Sequence, residues 1–256
     1  MELMKTFSCQ SGSNGNCIFV RAGRTRILLD AGISGLAAQR RMEVHQEDIR
    51  AVDALILSHD HSDHTRSAGI FQRKFHMPIY ATPGTLRACR GSMGKLDDVR
   101  PFEAGLSLEI GELVIHTMPT PHDGADGVCF VIEHQGRRLG VLTDLGFVFP
   151  ELEELLPTLD AVYLESNYDP HMLRTGPYPP HLQARIEGNG GHISNPQAGE
   201  LLRDFTDGRL KWAALAHLSE ANNLPELALK TSQRIVNRPI DLHVASRYDV
   251  SPFFEL

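Results

Sequence analysis

Three histidines and two aspartates stand within six positions of this chain, in Ser58-His59-Asp60-His61-Ser62-Asp63-His64. An apolar run, Ala54 to Leu57, leads straight into them and reads as a short buried strand. Imidazoles and carboxylates carried into an apolar setting pay a heavy desolvation cost unless each finds a partner. A divalent metal is such a partner, because it takes neutral imidazole and carboxylate as ligands. His59 and His61 are two apart, so in extended backbone both side chains point the same way. Asp63 and His64 then begin the next turn, where they can face a second metal. Asp60 fits an outer role, orienting one of the histidines.

The elements that must position this loop follow from apolar patterning and turn residues. A strand over 5–9 and the Gly/Ser/Asn turn Ser11-Gly12-Ser13-Asn14-Gly15-Asn16 open the chain. Strands over 17–20 and 26–30 complete a β-meander, with the turn read as a plain hairpin connection in preference to a phosphate nest. Asp30-Ala31-Gly32 ends a strand and is expected to buttress the metal loop. A helix over 33–41 and a strand over 52–57 come next. After His64 the pattern predicts a helix over 65–75, a strand over 78–81 and a short helix over 85–90. Hairpins follow over 106–118 and 128–143. The second half alternates: a strand over 160–164, helices over 178–186 and 195–204, a strand over 212–216, a helix over 224–236 and a strand over 240–245. Two strand-rich halves, each carrying helices outside, predict an α/β protein with a four-layer αββα sandwich as one domain over 1–256.

Strands in this reading end in His59, His122, Asp144, Glu165 and His217. Groups gathered at strand ends, on loops held by a rigid scaffold, are where sites are built. The ligand inventory then suffices for two metals. One ion takes His59, His61 and His122; the other takes Asp63, His64 and His217; Asp144 bridges them with a water or hydroxide between. Two ions about 3.5–4 Å apart can activate that water and clamp both oxygens of an in-line displacement. Every ligand is nitrogen or oxygen, so zinc or manganese is expected and iron or cobalt stays open. His45, His76, His116, His134, His171, His181 and His243 read as surface or packed histidines. His243 competes with His217 for the last ligand position; His217 is preferred because it ends an apolar strand.

A chain of 256 residues allows one large α/β domain or two small ones. Its net charge of −7 argues against broad non-specific binding to nucleic acid, which depends on Lys and Arg neutralising phosphates. A small phosphate site survives that objection, since two divalent ions would bring positive charge to it. No apolar run approaches 18 residues, so no membrane span is expected. Met1-Glu2-Leu3-Met4-Lys5 lacks the pattern of a signal peptide. Cys9, Cys17, Cys89 and Cys129 form no Cys-x-x-Cys pair and read as buried small hydrophobes in a reduced cytoplasm.

The chain resembles the WalJ/VicX (YycJ-type) branch of the metallo-β-lactamase fold, nearly end to end. His59-x-His61-x-Asp63-His64 marks only the superfamily. More specific are Gly12-Ser13-Asn14-Gly15-Asn16, Leu29-Asp30-Ala31-Gly32-Ile33-Ser34, Pro121-His122-Asp123-Gly124-Ala125-Asp126 and Leu142-Thr143-Asp144. So are Glu165-Ser166-Asn167-Tyr168-Asp169, Gly191-His192-Ile193-Ser194-Asn195 and His217-Leu218-Ser219-Glu220-Ala221-Asn222-Asn223. The resemblance implies a 5′-to-3′ DNA exonuclease working in repair, with DNA bearing a 5′-phosphate as substrate and repair proteins as possible partners. It also implies a likeness in the core to the tRNA-processing endonuclease of this fold. There a Glu like Glu165 supports a His like His192, which acts as proton donor beside the metals. On that pattern His192, Glu165 and Asp63 are the catalytic candidates. Arg174 and Arg185, whose forks suit phosphate, and Asn195 and Ser219 are the substrate-binding candidates.

Asp144 and His217 are only 73 residues apart. RNA-processing nucleases of this fold with a large second domain insert it between these two ligands, and no such domain fits here. A cyclic-phosphodiester or RNA-processing phosphodiesterase would use the same ligands, as would a thioester or lactam hydrolase. The Glu165 and His192 blocks speak against the last two. A flavo-diiron reductase would carry Glu where His61 stands.

Overall fold

The computed structural model describes residues 3–256; Met1 and Glu2, on which the signal-peptide expectation partly rests, lie outside the described residues. The chain opens with the meander β1 (Lys5–Gln10), β2 (Cys17–Ala22) and β3 (Thr25–Leu29). Helix α1 (Gly35–Val44) leads to β4 (Ala54–Ile56), the short α2 (Ser62–Thr65), α3 (Ala68–Phe75), β5 (Ile79–Ala81), α4 (Pro83–Met93) and β6 (Val99–Pro101). Two hairpins follow, β7 (Ser107–Ile110) with β8 (Leu113–Pro119), and β9 (Val128–His134) with β10 (Arg137–Leu142). The remainder is α5 (Pro150–Leu155), β11 (Ala161–Glu165), α6 (Pro170–Thr175), α7 (Pro180–Glu187), α8 (Asn195–Asp204), β12 (Trp212–Ala216), α9 (Pro225–Val236), β13 (Asp241–Val244) and β14 (Phe254–Glu255).

The strands form two seven-stranded sheets, ordered β14-β1-β2-β3-β4-β5-β6 and β13-β12-β11-β10-β9-β8-β7. Each runs from an antiparallel meander into parallel strands, β3 to β6 in one and β10 to β13 in the other. Parallel strands are covered on both faces and so read as unbroken apolar runs, as in Ala161-Val162-Tyr163-Leu164 and Trp212-Ala213-Ala214-Leu215, all buried. Between the sheets lie Ile27, Leu29 and Ile56 with Ile115, Phe130 and Tyr163. On one outer face Phe19 and Leu55 pack with Met42 and Phe71 of the helices, and on the other Val162 and Leu215 pack with Leu152 and Leu201. Each such side chain contributes about 1.5–3 kcal/mol on burial. This is the four-layer αββα sandwich that the patterning predicts. Among the described residues no helix is long and apolar enough to cross a membrane.

Several elements depart from expectation. The helix predicted over 65–75 is two helices, because Ser67 (φ −111°, ψ 2°) leaves helical geometry between α2 and α3. Helices α5 and α6 were not expected, since six residues are too few for helical periodicity to register. Their start signals were nonetheless present: Pro150 in the first turn, and Asp169 accepting from the His171 and Met172 backbone. β6 is three residues with one apolar side chain before its proline and gave no pattern.

Candidate metal centre

The polar groups converge where the parallel strands end, on the loops after β4, β10, β11 and β12, together with the loop between β8 and β9. His61 has extended backbone and α2 starts at Ser62, so Asp63 and His64 occupy its first turn. Two other segments brace this turn through backbone hydrogen bonds. Asn16 N–H donates to Asp63 O (2.8 Å), and Ala31 N–H donates to His64 O (2.7 Å). Gly32 is required at this crossing, because a Cβ there would lie 1.6 Å from Asp63 O. Asp30-Ala31-Gly32 thus buttresses the metal loop as expected. Asp30, Asp144 and His217 all adopt left-handed backbone (φ 64°, 58° and 55°) within two residues of the ends of their strands. Non-glycine residues hold that region at a cost of order 1–3 kcal/mol, and such strain collects at functional sites.

Hydrogen bonds assign a direction to each ring. His59 Nδ1 meets Ser58 Oγ (2.9 Å), His64 Nδ1 meets Asp30 Oδ2 (2.7 Å) and His122 Nδ1 meets Gly191 O (2.8 Å). Their Nε2 atoms therefore turn inward. His59 Nε2 is buried with no hydrogen-bond partner in the protein, the condition of an imidazole shaped to bind an ion. His61 presents Nδ1, 3.2 Å from His122 Nε2. His217 presents Nε2, 3.3 Å from Asp63 Oδ2. Asp144 Oδ2 is 3.2 Å from His64 Nε2, and its Oδ1 is 3.4 Å from His217 Nδ1 and 3.6 Å from His122 Nε2. Potential ligand atoms lie within 4.8 Å of one another in His59/His61/His122, in Asp63/His64/His217 and in His59/His64/Asp144. The first two sets hold the residues of the two triads expected from the sequence, the third joins Asp144 to one histidine of each, and a fourth is Asp144/Glu165/His192/His217; such a cluster suits metal ions.

The electrostatics agree. Burial would raise the carboxyls of Asp63 and Asp144, but the surrounding imidazoles hold both well below the usual range. Burial would lower His217, but Asp144, Asp63 and Glu165 push it up to about 10; Asp144, Asp30 and Asp63 raise His64 against its burial in the same way. The carboxylates thus demand positive charge inside the cluster, which a divalent cation supplies. His59 and His122 are lowered, first by burial and then by neighbouring histidines, and so stay neutral as ligation requires.

Glu165 is fully buried behind this cluster. Its Oε1 accepts from His192 Nδ1 (2.8 Å) and the Asp144 N–H (3.2 Å) and lies 3.2 Å from His217 Nδ1; its Oε2 accepts from the N–H groups of Leu145 and Ile193 (3.1 Å each). Burial opposes its ionisation, yet His192 and His217 hold it down to about 2. Glutamine at position 165 would set an amide N–H₂ against these donors. Glu165→Gln is expected to cost about 1–3 kcal/mol of folding stability, measured as a lowered denaturant midpoint of the metal-free protein. An unchanged midpoint would mean the carboxylate is not the shared acceptor.

Other sequence-predicted residues are placed differently. Asn195 is buried and exchanges hydrogen bonds with the Asn223 amide (2.9 and 2.8 Å) while accepting from Ser166 Oγ (2.6 Å). The residue before it, Ser194, caps α8 in a capping box with Gln197. Ser219 is buried too, its Oγ accepting from Asn222. Both belong to the scaffold, and the substrate-binding expectation for them is corrected. Arg174 stands exposed on α6, away from the cleft lining. Arg185 does line the cleft, but Asp123 occupies its fork at 2.7 and 2.9 Å. Asp60 orients no histidine; it accepts from the Ala125 N–H (2.7 Å) and so ties down the loop beyond His122. His243 pairs with Asp241 on β13 (2.9 Å), outside the cluster. Sequence reasoning missed Ser58 and Asn16, whose Nδ2 is 3.0 Å from His64 Nε2. The adjacency of Ser58 to His59, and of Asn16 to the glycine turn, was the available signal.

Comparison with known proteins agrees with this picture. The model of the Beta-lactamase superfamily domain matches residues 25–212. The chain is 31% identical over 228 residues to Exodeoxyribonuclease YycJ of Bacillus anthracis, covering 88% of this chain and 86% of that protein. It is 31% identical over 251 residues to Exodeoxyribonuclease WalJ of Streptococcus pneumoniae serotype 2, covering 94% and 92%. In structure it superposes on the metallo-beta-lactamase fold protein YhfI of Bacillus subtilis with a TM-score of 0.77 at 16% identity, over the full length of both chains. The chain is a hydrolase of the beta-lactamase superfamily, in the family of the YycJ and WalJ exodeoxyribonucleases.

Proposed function

We propose that the protein is a two-metal phosphodiesterase that removes nucleotides stepwise from 5′-phosphorylated DNA ends. The observation that carries this reading is the His192–Glu165 pair, 2.8 Å apart, set beside the histidine and aspartate cluster. Two divalent ions, zinc or manganese in the first instance, would lower the pKa of a shared water for attack and neutralise charge on the phosphate. His59, His61 and His122 would hold one ion, Asp63, His64 and His217 the other, and Asp144 would serve both. Glu165 accepts from His192 Nδ1 and favours the imidazolium, which would give its Nε2 proton to the leaving oxygen and be left as the neutral Nδ1–H imidazole. The cleft, about 290 Å³, is lined by Ser13, Asp63, Asp144, Arg185, His192 and His217. This polar lining suits a phosphate better than an acyl group in an apolar pocket. The choice of DNA follows the names of the relatives. Four buried, unpaired cysteines fit a reducing cytoplasm.

The test uses linear and circular DNA and RNA, with 5′-phosphate or 5′-hydroxyl ends, supplied with several metals. Linear 5′-phosphorylated DNA is expected to yield mononucleotides. Loss of the 5′-phosphate should slow the reaction about 10- to 100-fold, the worth of one charged hydrogen-bond set. Equal rates on both ends would remove the 5′-phosphate assignment. Cuts inside a circle would overturn the exonuclease, and preference for RNA or cyclic phosphodiesters would reassign the substrate.

A further inference from the structure

Of the five imidazoles in the two metal triads, four have a buried partner on the nitrogen that faces away from the metal centre or beside it: Ser58 for His59, Asp30 for His64, Gly191 O for His122 and Glu165 for His217. His61 differs. Its Nδ1 lies 3.2 Å from His122 Nε2, and its Nε2 lies 3.4 Å from Asp123 Oδ1, a charge contact and not an aligned hydrogen bond. It is also the ligand candidate with the most exposed side chain, at 29%, so packing does least to hold it. We infer that Asp123 is a positioning residue for the metal centre, holding His61 as the Nε2–H tautomer with Nδ1 free to bind an ion, and that Arg185 holds Asp123 in place. The inference rests on the two-metal reading above.

Two contacts support it. Arg185 grips Asp123 with two N–H groups, from Nε to Oδ2 (2.7 Å) and from Nη2 to Oδ1 (2.9 Å). The Asp123 N–H donates to Gly190 O (3.1 Å), which anchors its backbone to the segment leading to His192. The oxygen that faces His61 also lies 3.6 Å from His122 Nε2, but there Gly191 O, at 2.8 Å from Nδ1, takes the proton of the ring. A neutral imidazole carries one proton, and the acceptor beside one nitrogen decides which nitrogen is left to ligate. Without Asp123 the proton can move to Nδ1, and that nitrogen then cannot bind metal. Arg185 thereby acts on the metal centre through Asp123 rather than as an uncommitted phosphate fork.

The test is a titration of the metal-free, full-length protein with Co²⁺, read by visible absorption, and with Zn²⁺ against a chromophoric chelator. Asp123→Ala is expected to weaken one ion about 10- to 100-fold, the usual effect of losing a ligand's supporting carboxylate, and to alter the Co²⁺ spectrum. Asp123→Glu should restore part of the affinity. Arg185→Gln, which leaves the carboxylate in place, should weaken the same ion by less. The unfolding midpoint of the metal-free variants should match wild type, separating positioning from a folding defect. Wild-type affinity and spectrum in Asp123→Ala would overturn the inference. If wild type takes up one ion and Asp123→Ala weakens it, the inference stands and the two-metal reading falls.

Discussion

Alanine in place of His192 is expected to lower turnover on DNA about 10²–10⁴-fold, the usual worth of general acid catalysis, while both ions stay bound. Asp144, Glu165, His192 and His217 are themselves close enough to form a ligand set, so His192 has to be weighed as a ligand. The contacts of Glu165 argue otherwise. The Glu165 carboxylate is occupied by backbone and imidazole donors on both oxygens, which leaves it poorly placed to bind a cation as well. The His192 side chain is 15% exposed and lines the cleft, as a proton donor to substrate must. Substrate affinity should change little. A nitrophenyl phosphodiester, whose leaving group needs little protonation, should lose much less than DNA does. Metal analysis and paired assays on the two substrates decide the matter. Loss of an ion, or equal loss on both substrates, would make His192 a ligand or a binding residue.

The other large effect is expected at Asp144. Its two oxygens lie within 3.6 Å of His64, His122 and His217, which come from both proposed triads. Asp144→Ala should weaken metal binding by more than the about 10- to 100-fold that loss of a supporting partner costs, with activity falling in parallel. His61→Ala should strip only the ion of its own triad. Elemental analysis of reconstituted protein measures both. A fully loaded, inactive Asp144→Ala protein would show that Asp144 acts on substrate and not on metal. Chelation of wild type should lower its melting temperature, since an ion that binds only the folded state stabilises it.

Much of the centre was legible in local sequence because its chemistry is local there. The spacing of His59, His61, Asp63 and His64 needs only a strand end and one helical turn to aim four side chains at a common point. Apolar runs marked the parallel strands, because burial on both faces removes polar residues from them. Strand ends bearing Asp144, Glu165 and His217 were visible for the same reason, each a polar residue closing or following such a segment. The αββα layering followed from the order of those elements. What the chain could not show in one dimension was the holding of one group by another. Arg185 looked like an open phosphate fork, yet Asp123, 62 residues away, occupies it. Asn195 and Ser219 looked like site residues because of their neighbours, yet Asn223 and Asn222 claim them for the scaffold. Nor does any local rule place Asp30, Asp144 and His217 in left-handed backbone, since that conformation is unfavourable alone and persists only where surrounding packing enforces it. Residue types determined which atoms are able to bind an ion. Which nitrogen faces inward was decided for His64, His122 and His217 by tertiary contacts with Asp30, Gly191 and Glu165, because an imidazole's tautomer follows the hydrogen bond made by its other nitrogen.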